Sequence, residues 1–414
     1  MNTRQRFIST LRFEAVDRPF RWETLGMWPE TLDRWYAEGL DSSLRQPQPE
    51  DWGAIGKDEY LRVLVRAFGL DRVDYLREAV VSGYTDSPFY PPFETQVIAD
   101  EGETRIVQDV DGIIKREFVH YGTSSMPQYL KFPVANQADF RALLPRLDAG
   151  HPQRLAAHWE EICSFYSQRD FPVGLTICGA FGHPRNLMGV ENLCLAYYDQ
   201  PDLVHEILEH WTEFYCKLAS RVWQGIDGRS GRDSPAFDFV LIWEDMAYKG
   251  GSLISPRLVQ EFMLPYYRRL IDHVRGLGCD VIIVDSDGDV TELVPLFLSV
   301  GVNVMLPFEV QAGMDIRAFR KQYGKNLAII GGLDKRHLVF NLESADKEHP
   351  ADKEHPMQAE IREKALPLLA TGGYIPCLDH TVPPNVSLEN FRRYLNLLRT
   401  MVDNKHPSGG IYGN

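Results

Sequence analysis

Acidic residues recur just after short apolar runs, and their types and spacing are what could do chemistry in this chain. Glu244 and Asp245 follow FDFVLIW; Asp285, Ser286 and Asp287 follow CDVIIV; Glu309 follows VNVMLPF. Asp334, Lys335 and Arg336 follow LAIIGGL, and Asp379 with His380 follows GGYIPCL. His183 and Arg185 stand shortly after PVGLTICG. Carboxylates gathered at one opening repel one another unless something positive offsets them. The offset could be a divalent cation, Lys335 with Arg336, or a cationic substrate. Paired carboxylates with shifted pKa values are also the raw material of general acid–base catalysis. The expected catalytic set is therefore Asp285, Glu244, Asp379 and His380. His380 beside Asp379 could shuttle a proton or supply a nitrogen ligand. Asp285, Glu244 and His380 are the expected metal ligands, a set suited to a harder cation or to zinc held by nitrogen and oxygen. Arg336, Lys335, Glu309, Arg185, His183 and Trp22 are the expected substrate contacts. The structural alternative is that such residues cap the next helix, as Asp287 or Asp289 could before VTELVPLF.

Something must bring those run ends together. The six runs PVGLTICG, FDFVLIWE, CDVIIVD, VNVMLPF, LAIIGG and GGYIPCL alternate with amphipathic segments such as DLVHEILEHWTEFYCKLASRVWQG. Near-continuous apolar runs between helices indicate parallel strands buried on both faces. With one or two further candidates, around Pro19–Glu23 and in the front of the chain, they approach the eight strands of a TIM barrel. In that fold the residues after each strand line the active site. A doubly wound open sheet is the rival. No G-x-G-x-x-G follows any run, so NAD is not expected. Residues 1–72 read as a helical segment packed on the barrel, with 42–57 as a polar loop. Residues 73–135 read as an antiparallel β-meander, with Asp-Glu-Gly and Asp-Gly as hairpin signals. Residues 136–414 carry the barrel core. The Trp and Tyr residues of segment 201–225 fall at core spacing, and Cys377 reads as a small buried apolar residue.

With 58 acidic against 44 basic residues the net charge is −14, which argues against nucleic-acid partners and anionic membrane surfaces. No apolar stretch near 18 residues occurs, so neither a membrane span nor a signal peptide is expected. Six cysteines lie scattered without a C-x-x-C pair, which suits a reducing cytoplasm. A tandem repeat, ADKEHPADKEHP, at 345–356 is expected in a surface loop.

The block VDSDGDVTELVPLFLSVGVNVMLPFEVQAGMDIRAFRKQYGKNLAIIGGLDKRHL resembles the uroporphyrinogen decarboxylase-like superfamily. So do IWEDMAYKGGSLISPRLVQEFMLPYYRRL, SMPQYLKFPV, GGYIPCLDHTVPPNVSLENFRRYLNLLR and the opening RFISTLRFEAVDRPF. That superfamily also holds methyltransferases serving corrinoid proteins and coenzyme M. The resemblance implies a TIM barrel with extra amino-terminal elements. It implies a methyltransferase moving a methyl group between a small substrate and a cobamide, a corrinoid protein or another carrier, with a homodimer as the expected assembly. A decarboxylase-type lyase acting on a small or cyclic carboxylate, with Arg185 or Arg336 as clamp, is the second reading. A cobamide- or metabolite-binding protein is the third. Two signatures of the superfamily differ here. Where the decarboxylases carry Met-Arg-Gln-Ala-Gly-Arg, this chain reads PFRWETLGMWPET, in which Arg21 is the lone basic residue and Glu23 adds a negative charge. Where the zinc methyltransferases carry His-x-Cys, it reads Asp285-Ser286-Asp287, and the position of their later cysteine falls near Gly372-Gly373, with Cys377 displaced.

Overall fold

All six Val- and Ile-rich runs become neighbouring strands of one parallel sheet. The computed structural model describes residues 1–48, 51–84, 86–120, 126–230, 236–339 and 355–403, and these described residues form thirteen strands. The parallel sheet contains β1 (Asp74–Tyr75), β6 (Val173–Cys178), β7 (Phe239–Trp243), β10 (Val281–Asp285), β11 (Val304–Leu306), β12 (Ala328–Ile330) and β13 (Tyr374–Ile375), in that spatial order. Sequential strands are neighbours and their connections are helical, including Pro201–Ser230, Leu264–Gly276 and Ile316–Tyr323. This is a curled, TIM-like α/β sheet of seven strands. Its register sets the strand ends level: Cys178 pairs with Trp243, Trp243 with Asp285, and Asp285 with Leu306.

Strand side chains alternate between faces, and here the alternation separates two cores. Phe239, Leu241, Val281, Ile283, Val304 and Leu306 belong to a cluster inside the curl. Val240, Ile242, Ile282 and Val284 belong to a larger cluster that includes the surrounding helices. From the helix Pro201–Ser230, Trp211 donates to the Cys178 carbonyl at 2.7 Å and Tyr215 to that of Ser82 at 2.7 Å, as core spacing anticipated.

The helix Thr3–Leu11 seals the amino ends of the strands. Asn2 and Gln5 form its capping box, and Phe7 and Leu11 enter the inner cluster. Arg4 pairs with Asp238 at 2.6 Å, just before β7, and Arg12 with Asp280 at 2.7 Å, just before β10. The opposite, carboxyl end is left for a ligand.

Three expectations are revised. The candidate strand Pro19–Glu23 does not pair as a strand, yet it lies along the sheet edges: Asp71 N–H donates to the Arg21 carbonyl at 2.8 Å, and Leu378 N–H to the Glu23 carboxylate at 3.1 Å. Residues 74–75, expected with the meander, instead form β1 against β6, because Val73 belongs to the inner core. The loop expected at 42–57 holds a 3-10 turn at Ser42–Arg45 and one helical turn at Ala54–Lys57. The meander itself is a four-stranded antiparallel sheet: β2 (Gln96–Asp100), β3 (Thr104–Gln108), β4 (Ile114–Phe118) and β5 (Gln128–Lys131). A two-stranded hairpin, β8 (Ala247–Tyr248) and β9 (Gly251–Ser252), follows β7. Most of the tandem repeat lies outside the described residues. Its last pair, His355 and Pro356, starts the helix Pro356–Glu360 with His355 as N-cap. Among the described residues no helix is long and apolar enough to cross a membrane.

Candidate active site at the carboxyl ends of the strands

Side-chain parity decides which strand-end residues face inward. Asp285 shares parity with Val281 and Ile283, so it points into the curl. It lies on the wall of a cavity of about 340 Å³. Trp22, Tyr75 and Tyr84 give that cavity aromatic walls, and Leu241 and Leu306 add aliphatic surface. Asp285 is only 6% exposed, and among the described residues its carboxyl takes no hydrogen bond. Burial, with smaller contributions from Asp287 and Asp245, holds its pKa well above the usual carboxylate range. The hydroxyls of Tyr75 and Tyr84 also find no partner among the described residues, and burial pushes both phenols up.

The other charged groups of the wall are already engaged. Arg77 pairs with Asp58 at 2.9 Å, with its guanidinium 5.2 Å from the Tyr75 ring centroid. Glu23 accepts from Leu378 N–H at 3.1 Å and from the Tyr394 hydroxyl at 2.7 Å, and burial pushes its pKa up to about 8. The negative charge expected at Glu23 is corrected accordingly: the carboxyl is mostly protonated at neutral pH.

Beside the cavity, His380 Nε2 lies 3.2 Å from Asp287 Oδ2. Thr381 N–H donates to His380 Nδ1 at 2.8 Å, so Nδ1 is the acceptor nitrogen and Nε2–H donates to Asp287. Asp287 Oδ1 is buried without a partner. Arg185 donates to Asp245 Oδ2 at 2.9 Å and to the Asp245 carbonyl at 2.8 Å, and packs over Trp243 at 4.6 Å. Asp245 takes a left-handed backbone, φ 45°, a strained conformation that is common at functional sites.

Several expected site residues are used up elsewhere. Glu244 has the opposite parity to Asp285 and points into the helix layer. It is fully buried and accepts from the N–H groups of Ala180 (2.8 Å), Phe181 (2.8 Å) and Gly182 (3.1 Å), and from the Tyr267 hydroxyl. A Cβ at Gly179 would meet its carboxyl carbon at 2.2 Å, so that glycine makes room for it. Asp379 staples two loops, accepting from Val310 N–H at 2.8 Å and Lys335 N–H at 3.0 Å. Arg336 is held by Asp334, which also caps the turn Lys335–Leu338. Glu309 accepts from Gly288 N–H at 3.2 Å. His183 is buried, and desolvation pushes its pKa down to about 3. Of the ten residues expected from sequence, Asp285 and Trp22 reach the cavity wall, while Lys335, Arg336, Glu309, Arg185, His183, Glu244, Asp379 and His380 do not. The metal expectation is corrected too. Among the described residues no three acidic, His or Cys side chains gather to hold an ion. Glu244 faces away with its oxygens engaged, and both nitrogens of His380 are occupied.

The sequence reading missed Tyr75, Tyr84, Arg77 and Asp58. Tyr75 and Arg77 sit at a two-residue strand, too short to show the alternation that marks a strand, while Asp58 caps the turn Glu59–Arg62 and Tyr84 lies in the loop that follows.

A family model for uroporphyrinogen decarboxylase (URO-D) matches residues 118–401. No curated protein matches the chain. Among solved structures, a methyltransferase from Methanosarcina mazei is similar at 15% identity and a TM-score of 0.58, covering 97% of this chain and 99% of that one. A B12-independent methionine synthase from Shewanella sp. W3-18-1, in complex with selenomethionine, is similar at 13% identity and a TM-score of 0.46, covering 94% and 98%. At such identities the first likeness speaks for the fold alone, and the second carries no argument.

Proposed function

The chain belongs to the uroporphyrinogen decarboxylase (URO-D) family, and on that premise we propose that it is an enzyme of methyltransferase type. In this reading a small substrate sits at the carboxyl ends of the strands and gives a methyl group to a carrier docking over them. The carrier is a cobamide, a corrinoid protein or a thiol. Phe20–Glu23 serves as the eighth element that closes the barrel.

One observation carries the choice: the cavity wall has an unpaired carboxylate, Asp285, and no unpaired arginine. Decarboxylation of a polycarboxylate needs cations to hold the substrate. Arg185 and Arg336, the clamps expected for a lyase, are spent on Asp245 and Asp334. A cavity of about 340 Å³ is also at the small end of ligand pockets, which run roughly 300–1,000 Å³, and suits a small donor better than a tetrapyrrole.

The residues present do not fit a resident zinc, so the chemistry proposed rests on side chains alone. Trp22, Tyr75 and Tyr84 exclude water and orient the methyl group, and Asp285 holds the polar end of the donor. The His380–Asp287 pair stands beside the opening as a proton relay. The decisive assay mixes the enzyme with donors methylated on oxygen, sulfur or nitrogen and with either reduced cobalamin or a thiol, and follows the demethylated product by NMR. One donor class is expected to lose its methyl group, and Asp285→Asn to slow the transfer at least tenfold. Carbon dioxide release from a carboxylate substrate, with no methyl transfer to either acceptor, would establish the lyase instead.

A further inference from the structure

We infer that the cavity takes a small organic cation, a methylated ammonium group enclosed by Trp22, Tyr75 and Tyr84 with Asp285 as its counter-ion. This rests on the site chosen above and adds the substrate class.

The first observation is Asp285 itself. It is a carboxyl group more than nine-tenths buried, on the wall of the cavity, with no hydrogen bond from the described residues. Buried carboxylates in native proteins are otherwise paired or hydrogen-bonded. Its near neighbours deepen the need, since Asp287 and Asp245 both act on it with the same sign of charge. The arginines nearby cannot answer it: Arg77 is held by Asp58 and Arg185 by Asp245. A positive charge that arrives with the ligand would offset both burial and these neighbours and favour the ionised form of Asp285.

The second observation is the aromatic part of the same wall. Trp22 and Tyr75 lie 6.5 Å apart, centroid to centroid, at an interplanar angle of 34°, and Tyr84 completes the aromatic side. Aromatic faces attract cations, and cages of this composition recognise quaternary ammonium groups. A neutral apolar ligand would use the aromatic walls but leave Asp285 unanswered. An anion would use neither.

The transfer chemistry is consistent with such a donor. The acceptor's lone pair forms the new bond to the methyl carbon, and the C–N bonding pair stays on nitrogen. The ammonium donor leaves as a neutral amine, and no proton has to move. The acceptor is a soft nucleophile such as a thiolate.

Calorimetric titration with choline and with its neutral carbon isostere, 3,3-dimethylbutan-1-ol, tests the inference. Choline is expected to bind at least tenfold more tightly than the alcohol. Asp285→Asn should remove at least that factor for choline and leave the alcohol's affinity unchanged, and a cooperative unfolding transition shows that the variant folds. Tyr84→Leu, at the less packed edge of the cage, should weaken choline severalfold. The inference is overturned if the alcohol binds as tightly as choline, or if Asp285→Asn binds choline like the parent. Its failure is separable from failure of the transfer reading. Methyl transfer from an ether donor, with no preference for choline, would sink the cation site and leave the transferase. Asp285-dependent choline binding, with no transfer from any donor, would do the reverse.

Discussion

The two ends of the curled sheet treat buried carboxylates in opposite ways. At the amino ends, Asp238 is buried between Arg4 at 2.6 Å and Arg169 at 3.1 Å, and it also accepts from Val173 N–H at 2.9 Å. Asp71, equally buried, is gripped by Arg18 at 2.6 Å. At the carboxyl ends, Asp285 is buried with no such partner, and Asp287 keeps one orphaned oxygen. Both ends withdraw carboxyl groups from water. The amino end pairs Asp238 and Asp71 with arginines, whereas at the carboxyl end Glu244 and Asp379 are satisfied by N–H and O–H donors and Asp285, facing the cavity, is not. In TIM barrels, which this curled sheet resembles, the amino face serves stability and the carboxyl face serves chemistry. Here the difference can be read charge by charge. An uncompensated group persists only because the surrounding structure holds it in place.

The sharpest way to break that comparison is to remove the compensated charge. Asp238→Ala takes the carboxylate away from Arg4, Arg169 and Val173 N–H and should cost about 3–5 kcal/mol of unfolding free energy, measured in urea. A cost below about 1 kcal/mol would mean that the arginines find water or other acceptors, and that the amino end is less tightly organised than its geometry implies.

Glu23 offers a second handle, because it stands on the same cavity wall as Asp285 and is buried but hydrogen-bonded. Its folded pKa of about 8 lies above the 4.5 of an unperturbed glutamate. The folded state therefore holds a proton that the unfolded state releases. Its contribution to stability is full below pH 4.5 and falls as pH rises to about 8, by up to about 1.4 kcal/mol per unit. Glu23→Gln keeps the acceptor and removes the titration. Stability should then flatten across that window, and an unchanged slope would assign the decline to other groups.

Asp285→Asn should behave unlike Asp238→Ala. Replacing an unpaired buried acid with a neutral isostere should leave stability unchanged or raise it by roughly 1 kcal/mol, while ligand binding and turnover collapse. Urea unfolding and the assays described above, run on the same preparation, measure both. If this variant loses as much stability as Asp238→Ala, the two ends are not different in kind.

Much of this contrast was legible in the chain. Runs such as CDVIIVD and FDFVLIWE announced the strands, and the fold's own rule pointed to the residues just after them. Parity was legible as well: counting in twos from Val281 puts Asp285 inside, and counting from Val240 puts Glu244 outside. Proximity to a strand end therefore identified both residues, but alternation alone separates their roles. Tyr75 and Tyr84 were not legible, because β1 is two residues long and its pairing with β6 is a contact between distant parts of the chain. Nor could spacing reveal that Asp379, Asp334 and Glu309 would be used on backbone amides and on Arg336. Those hydrogen bonds depend on where loops from different strands meet.

The smallest expected effect comes from Arg336, the basic residue that looked best placed to grip an anion. Its side chain is half exposed and lies against Asp334, which also caps the following turn through Arg336 N–H at 2.9 Å. Asp334 is buried but the guanidinium is half exposed, so water can replace it and the pair contributes about 1 kcal/mol, and the cap survives loss of the guanidinium because a backbone amide supplies it. Arg336→Ala should therefore shift unfolding by about 1 kcal/mol at most and leave choline affinity unchanged. A tenfold loss of affinity for a carboxylate ligand in the same variant would show that Arg336 swings off Asp334 when a ligand arrives. The carboxyl end would then supply its own cation on demand, and the contrast between the two ends would be one of timing instead of composition.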